Sequence, residues 1–239
     1  MKRKKITLRP LSYNTELTTP APTPARTEIP KWYKDIPKYV NNGFADGIKN
    51  PFKTKTVKPC IPFLDSITSG YLLKLPYDIF CTFDAHGNRA ITWGDGNFET
   101  VSRHSMEQIG KYPIPVGYEE DIFKFNTTWG IQTPKGFSSL YMHPLGGFDL
   151  PFYSLHGIVD TDTFWKNINI AFTLKKDFEG VILQGTTIAQ VIPIKRESWY
   201  SEVKKWNDDG FDPQLENLKL GTMAGGWYKN NSWTKKEYD

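Results

Sequence analysis

Between residues 56 and 194 the chain is interrupted about every eight to twelve residues by glycine, proline or an Asn/Asp-rich turn, and the apolar runs between are too short for ordinary helices. The runs are SGYLLKLPYDIFCTFD (69–84), RAITW (89–93) between the turn signals AHGN and WGDGNF, DIFKFNTTWGIQT (121–133), FSSLYMHP (137–144), the Gly157 segment, INIAFTL (168–174), EGVIL (179–183) and TIAQVIPI (187–194). TVKPCIPFLD (56–65) reads as a further strand. This punctuation specifies strands joined by tight turns, so the fold class is mainly β, a barrel or a sandwich. Only ESWYSEVKKWNDD (197–209) has helical spacing, with Trp199, Val203 and Trp206 on one face.

The first forty residues differ. Pro10, Pro20, Pro22, Pro24, Pro30 and Pro37 favour an extended, polyproline-like arm without internal hydrogen bonds. Within it, Trp32, Tyr33, Ile36 and Tyr39 are costly to leave in water, so the arm docks there, on its own domain or on a neighbouring subunit. The expected division is 1–50 as arm and linker, 51–196 as the β domain with an insertion near 84–126, and 197–239 as a short helix and tail. A chain of 239 residues sustains one sizeable core, and 15% aromatic residues exclude a disordered chain.

Lys and Arg exceed Asp and Glu by 30 to 26, with much of the excess in KRKK (2–5) and at Lys235 and Lys236. The basic N-terminus is suited to nonspecific phosphate contact with nucleic acid, or is simply a solvated end. Cys60 and Cys81 lack ligand spacing and read as buried free thiols of a reducing compartment. No apolar stretch approaches a membrane span, which predicts a soluble, unexported chain. The histidines at 86, 104, 143 and 156 have no metal-ligand spacing, and no phosphate loop, dinucleotide fingerprint or nucleophile elbow is present, so no metal and no cofactor are expected.

The most specific motif is GIVDTDTFWKNINIAF (157–172) followed by GTTIAQVIPI (185–194). An Asp directly after a buried apolar turn offers its carboxylate at a rim, where it accepts a hydrogen bond from a sugar hydroxyl or orients water as a base. Asp160 is that residue. Asp162, two positions on, shares its face if the strand persists, and two such carboxylates raise one pKa or bind a cation. The plainer reading of DTD is a turn whose side chains cap backbone amides.

In order and spacing, TPKGF (133–137), GIVDTD, INIAF and GTTIAQV resemble the core of the deoxyuridine triphosphatase and deoxycytidine triphosphate deaminase family, and SGYLLKLPYDI resembles its first motif. The resemblance covers roughly 69–191 and implies a dUTPase-like distorted β-barrel of the β-clip type, with Asp160 and Asp162 as the catalytic residues if the chain is an enzyme. It also implies a trimer as the habitual oligomer. The departures matter as much. Leu72 and Leu73 stand where the family has a magnesium-binding Asp, and YMHPLGGFD (141–149) lacks the phosphate-binding Ser and Arg. Thr163 and Phe164 displace the aromatic under the sugar, and the C-terminal glycines lack the phosphate-closing pattern. Triphosphate hydrolysis is therefore not expected.

A longer resemblance runs through PKWYKDIPKY, TVKPCIPFLDSITSGYLL, WGIQTPKGFSSLYMHPLGGFDLPF, GIVDTD and FEGVILQGTTIAQVIPIKRESW. These resemble an uncharacterised family of proteins from tailed, T4-like bacteriophages and some bacteria, and imply a viral product of the host cytoplasm or the virion. The expected function is binding of a nucleotide-like small molecule, with Trp129, Tyr141, His143, Phe148, Asp160, Thr161, Phe164 and Gln190 lining one pocket. The alternative is a structural or assembly protein whose arm contacts a neighbouring subunit.

Overall fold

Strands occupy the runs between the turn signals: β1 (Thr7–Pro10), β2 (Thr23–Pro24), β3 (Phe44–Ala45), β4 (Ile48–Lys49), β5 (Tyr71–Lys74), β6 (Ile79–Phe83), β7 (Arg89–Trp93), β8 (Val101–Arg103), β9 (Phe123–Asn126), β10 (Trp129–Gln132), β11 (Phe137–Met142), β12 (Phe152–Ser154), β13 (Gly157–Val159), β14 (Asn169–Leu174), β15 (Gly180–Ile182) and β16 (Thr187–Lys195). The helices are short: α1 (Tyr13–Thr18), α2 (Lys31–Asp35), α3 (Ile61–Thr68), α4 (Met106–Ile109) and α5 (Trp227–Asn231). The structure, a computed structural model, describes residues 4–40, 44–45, 48–49, 55–110, 112–166, 168–203 and 227–239. The fold is mainly β.

Among the described residues all strand pairs are antiparallel. A five-stranded sheet runs in the order β13-β11-β16-β5-β2, a four-stranded sheet in the order β12-β14-β9-β8, and a three-stranded sheet in the order β15-β6-β7, while β1 pairs β10 and β3 pairs β4. The expected barrel is not closed. The run 121–133, read as one strand, breaks at Thr127 and Thr128, so that β9 joins the four-stranded sheet and β10 turns away to β1. Thr127 fixes the break by donating its hydroxyl to the Ile168 carbonyl at 2.8 Å.

The core lies between the two larger sheets. Phe125, Phe152 and Phe172 are fully buried, with Phe125 and Phe172 stacked at 3.6 Å between ring centroids and Phe152 edge-on to Phe125 at 5.1 Å. Ile188, Ala189 and Val191 of β16 are fully buried beside Leu75 and Ile79. Gly70 makes the close approach of β5 to β16 possible: its φ is +74°, and a Cβ there would lie 2.1 Å from the Val191 carbonyl oxygen.

The N-terminal segment is worked into this body rather than extended away from it. β1 pairs β10 and β2 pairs β5, while the Ser12 hydroxyl caps α1 by accepting the Thr15 N–H at 3.2 Å. Trp32 donates its indole N–H to the Gly146 carbonyl at 2.9 Å, and Tyr33, 4% exposed, stacks on Phe63 at 5.9 Å. The prolines set where strands and turns break, and the apolar anchors are spent on the chain's own domain.

Three other expectations are corrected. TVKPCIPFLD forms α3, not a strand, because Pro62 falls in the first helical turn, where its missing N–H costs nothing. Cys60, just before that helix, is exposed, whereas Cys81 is buried. Residues 197–203 are not helical, and 204–209 lie outside the described residues. Trp199, Tyr200 and Val203 stand 85%, 93% and 94% exposed, so a helical stripe has no surface on which to recover its ordering cost. Among the described residues no helix is long and apolar enough to cross a membrane.

Candidate functional site

β13 ends at Val159 and the chain turns at once, with the N–H groups of Thr163 and Phe164 donating to the Asp160 carbonyl at 3.0 and 2.8 Å. Thr161 points inward, fully buried, its hydroxyl within hydrogen-bond distance of those of Thr133 (2.9 Å) and Ser139 (2.7 Å). The two carboxylates on either side of it therefore have different surroundings. Asp160, with a side chain 60% exposed, accepts the Ser138 hydroxyl at 2.6 Å and lies 3.3 Å from Arg196. Asp162, with a side chain only 4% exposed, accepts the Gly136 N–H at 2.9 Å and both terminal nitrogens of Arg196, one of them at 2.8 Å. The Arg196 hydrogen bonds and the Gly136 N–H hold the Asp162 carboxyl at about 2, below its ordinary 3.8. The direction for Asp162 is opposite to the raised pKa of an acid that shares a proton with its neighbour.

The remaining predicted residues do not converge on Asp160. In the pairing of β11 with β16, Phe137 stands opposite Lys195 at one end and Met142 opposite Gln190 at the other, so the two ends are about 17 Å apart. Asp160, Thr161 and Phe164, the last 59% exposed, belong to the first end. His143, Phe148 and Gln190 belong to the second. Gln190 is 1% exposed and fully engaged: its carbonyl accepts the Leu145 N–H at 3.1 Å, and its amide donates to the Ser66 and Ser69 carbonyls at 2.8 and 2.7 Å. It locks three segments together.

His143 stacks on Tyr153 at 4.9 Å, accepts the Ser154 N–H at Nδ1 (3.2 Å), and so carries its proton on Nε2, which donates to the Gly147 carbonyl at 3.0 Å. Burial lowers its pKa, favouring the neutral ring. Tyr141 is 4% exposed with its phenol pushed up by burial. Phe148 is 70% exposed against Trp32, and Trp129, at the start of β10, donates its indole N–H to Thr19 at 3.1 Å.

An open cleft of about 570 Å³ lies elsewhere, between the β6–β7 hairpin and β8–β9. The hairpin turn is built by Asp84, whose carboxylate accepts the N–H groups of His86 and Asn88, both at 2.8 Å, while Gly87 takes the φ of +78° that the turn requires. On β7, Arg89, Ile91 and Trp93 alternate toward the cleft. Arg89, with a side chain 1% exposed, is the fixed base: it pairs with Glu119, donates to the Phe178 carbonyl at 2.6 Å and lies 3.9 Å above the Phe83 ring. Arg103 is the accessible cation. Its guanidinium sits 5.1 Å over the Phe123 ring, donates to the Arg89 carbonyl at 3.0 Å and leaves its side chain 50% exposed. Asp121 lies 3.4 Å from it, which orients the fork without a close bidentate pair.

A half-exposed guanidinium over Phe123, in a cleft also lined by Trp93, Asn88 and Ser102, offers charge to an anion, and Trp93 offers a ring to a planar group. None of these residues belongs to the GIVDTD motif, and Arg103 and Arg196 were both missed because neither sits in a recognisable spacing. Among the described residues no group of three or more His, Cys, Asp or Glu is placed to hold a metal ion. No protein-family model matches the chain, and no curated protein matches it.

Proposed function

We propose that this chain is a binding protein for a small, planar, anionic compound of nucleotide type, seated in the cleft at Arg103 rather than at Asp160, and that it does not hydrolyse triphosphates. The observation that carries the reading is the Arg103 guanidinium, held over a buried ring and half-exposed to a polar cleft that Trp93 also lines. The surroundings of the two acids agree with a structural use of the motif, since Asp162 is spent on Arg196 and Gly136. A dUTPase-like ancestry and a bacteriophage source, with the protein in the host cytoplasm or the virion, belong to the same proposal. They rest on the motifs quoted above.

Native mass spectrometry of the protein purified from cells tests it. The expected spectrum holds an extra mass of a few hundred daltons that leaves on denaturation; a bare chain after exposure to host extract contradicts it. A second reading, assembly, is favoured by the exposed run Trp199, Tyr200 and Val203, since the N-terminal anchors are already used internally. The same spectra report subunit number. Under that reading the parent is oligomeric and the triple Trp199→Ser, Tyr200→Ser, Val203→Ser chain is monomeric; identical spectra contradict it.

A further inference from the structure

Away from the cleft, one face gathers cations and rings that packing does not require. The pairing of β1 with β10 sets Thr7 opposite Gln132 and Arg9 opposite Gly130. Lys4 and Lys5, which precede β1, therefore run beside the 133–136 turn that carries Lys135. The Lys4 ammonium stands 5.9 Å from the centroid of Phe137, the first residue after that turn. Trp165 is pressed onto Gly130, where a Cβ would meet its ring at 2.7 Å, and is approached by the Arg9 guanidinium at 5.4 Å and the Lys166 ammonium at 4.9 Å. Phe164, next in sequence to Trp165, is 59% exposed.

The charge on this face is not balanced. Asp160, Asp162 and Glu197 are its carboxylates, and they are engaged with Arg196 and Lys195. Lys4, Lys5, Arg9, Lys135 and Lys166 are all exposed, and among the described residues none has a carboxylate within ion-pair distance. From Lys5 to Arg9, which share a side of the extended chain, the row extends about 14 Å, the reach of a few nucleotides.

We propose that this face binds single-stranded nucleic acid, with Lys4, Lys5, Lys135 and Lys166 on phosphates and Phe164 and the Arg9 plane on exposed bases. Cations alone would suit any polyanion. The exposed Phe164 ring and the Arg9 plane favour unpaired bases, because stacking onto a side chain needs a base face that a duplex keeps covered. Affinity then has two separable parts: a salt-dependent one from counterion release and a salt-independent one from stacking. This site is remote from the Arg103 cleft and stands or falls independently of it.

Fluorescence anisotropy of the full chain with labelled oligo-dT and oligo-U of about fifteen nucleotides, at about 50 mM salt and upward, tests the proposal. Saturable binding that weakens with salt is expected. Lys4→Ala, Lys135→Ala and Lys166→Ala together lower affinity at least tenfold and flatten the log–log salt slope by about 2, at about 0.7 per lost phosphate contact. Phe164→Ala lowers affinity at least about fivefold and leaves the slope unchanged. The absence of saturable binding at the lowest salt overturns the proposal. So does equal or tighter binding of a hairpin duplex or heparin with no effect of Phe164→Ala, which marks a generic polyanion surface.

Discussion

Three N–H groups hold Asp162, one from the Gly136 backbone and two from Arg196, and this is why the DTD motif works as a clasp. The sign of its pH dependence follows from the lowered pKa. A carboxyl that titrates at about 2 in the folded chain and near 3.8 when free contributes stability that is complete above pH 4 and is lost as pH falls toward 2. Thermal unfolding of the parent should lose a component between pH 4 and 2 that Asp162→Asn lacks; parallel curves for the two proteins would show that the clasp contributes nothing. Asp160 and the turn around it were legible, because an acid after an apolar Gly-led strand has few other uses. Arg196 was not. Its place is fixed by the long-range register of Phe137 opposite Lys195 and by its own N–H, which donates to the Gly136 carbonyl at 2.9 Å, and no local spacing announces that.

At the level of elements, the β6–β7 hairpin shows how a fixed cation prepares a cleft. Arg89 starts β7, and its buried guanidinium ties the hairpin to Glu119 and to the Lys176 and Phe178 carbonyls. Breaking such a pair from one side leaves a charge without a partner, so Glu119→Ala should cost about 3–5 kcal/mol by urea unfolding. A cost below about 1 kcal/mol, the range of an exposed pair, would show that water enters behind the hairpin. The hairpin, β11, β14, β15 and β16 follow from alternation and turn chemistry, as expected from the sequence. Strands such as β8 and β12, three residues each, carry too little pattern to be seen and exist through their partners. The run at 61–68 misleads in the opposite way: its apolar content suits a strand, but the hydroxyls of Thr68 and Ser69 close the last turn onto the carbonyls of Leu64 and Asp65 at 2.8 and 2.6 Å.

For the whole molecule, the mainly β character was legible, but the sheet order was not, since most pairs join segments far apart in sequence. The two terminal segments meet on one side of the five-stranded sheet. Trp233 and Lys236 both reach Asp65 of α3, at 2.8 and 2.6 Å, and the Tyr238 ring meets Tyr71 edge-on at 6.1 Å. The first residues of the chain are laid instead on β10, where Lys4, Lys5 and Arg9 help to form the cationic face beside Phe164. The predicted pocket failed to assemble because its members were chosen for chemistry at single positions, whereas convergence is decided by register: Asp160 and Gln190 lie near opposite ends of one strand pair. The central claim is that ligand is held at Arg103 and not at Asp160. Calorimetric titration of the four common nucleoside 5′-monophosphates into the parent, Arg103→Gln and Asp160→Ala chains tests it most directly. The account predicts binding of at least one nucleotide to the parent, unchanged in Asp160→Ala and at least tenfold weaker in Arg103→Gln; loss in Asp160→Ala with retention in Arg103→Gln, or no binding by the parent, would contradict it.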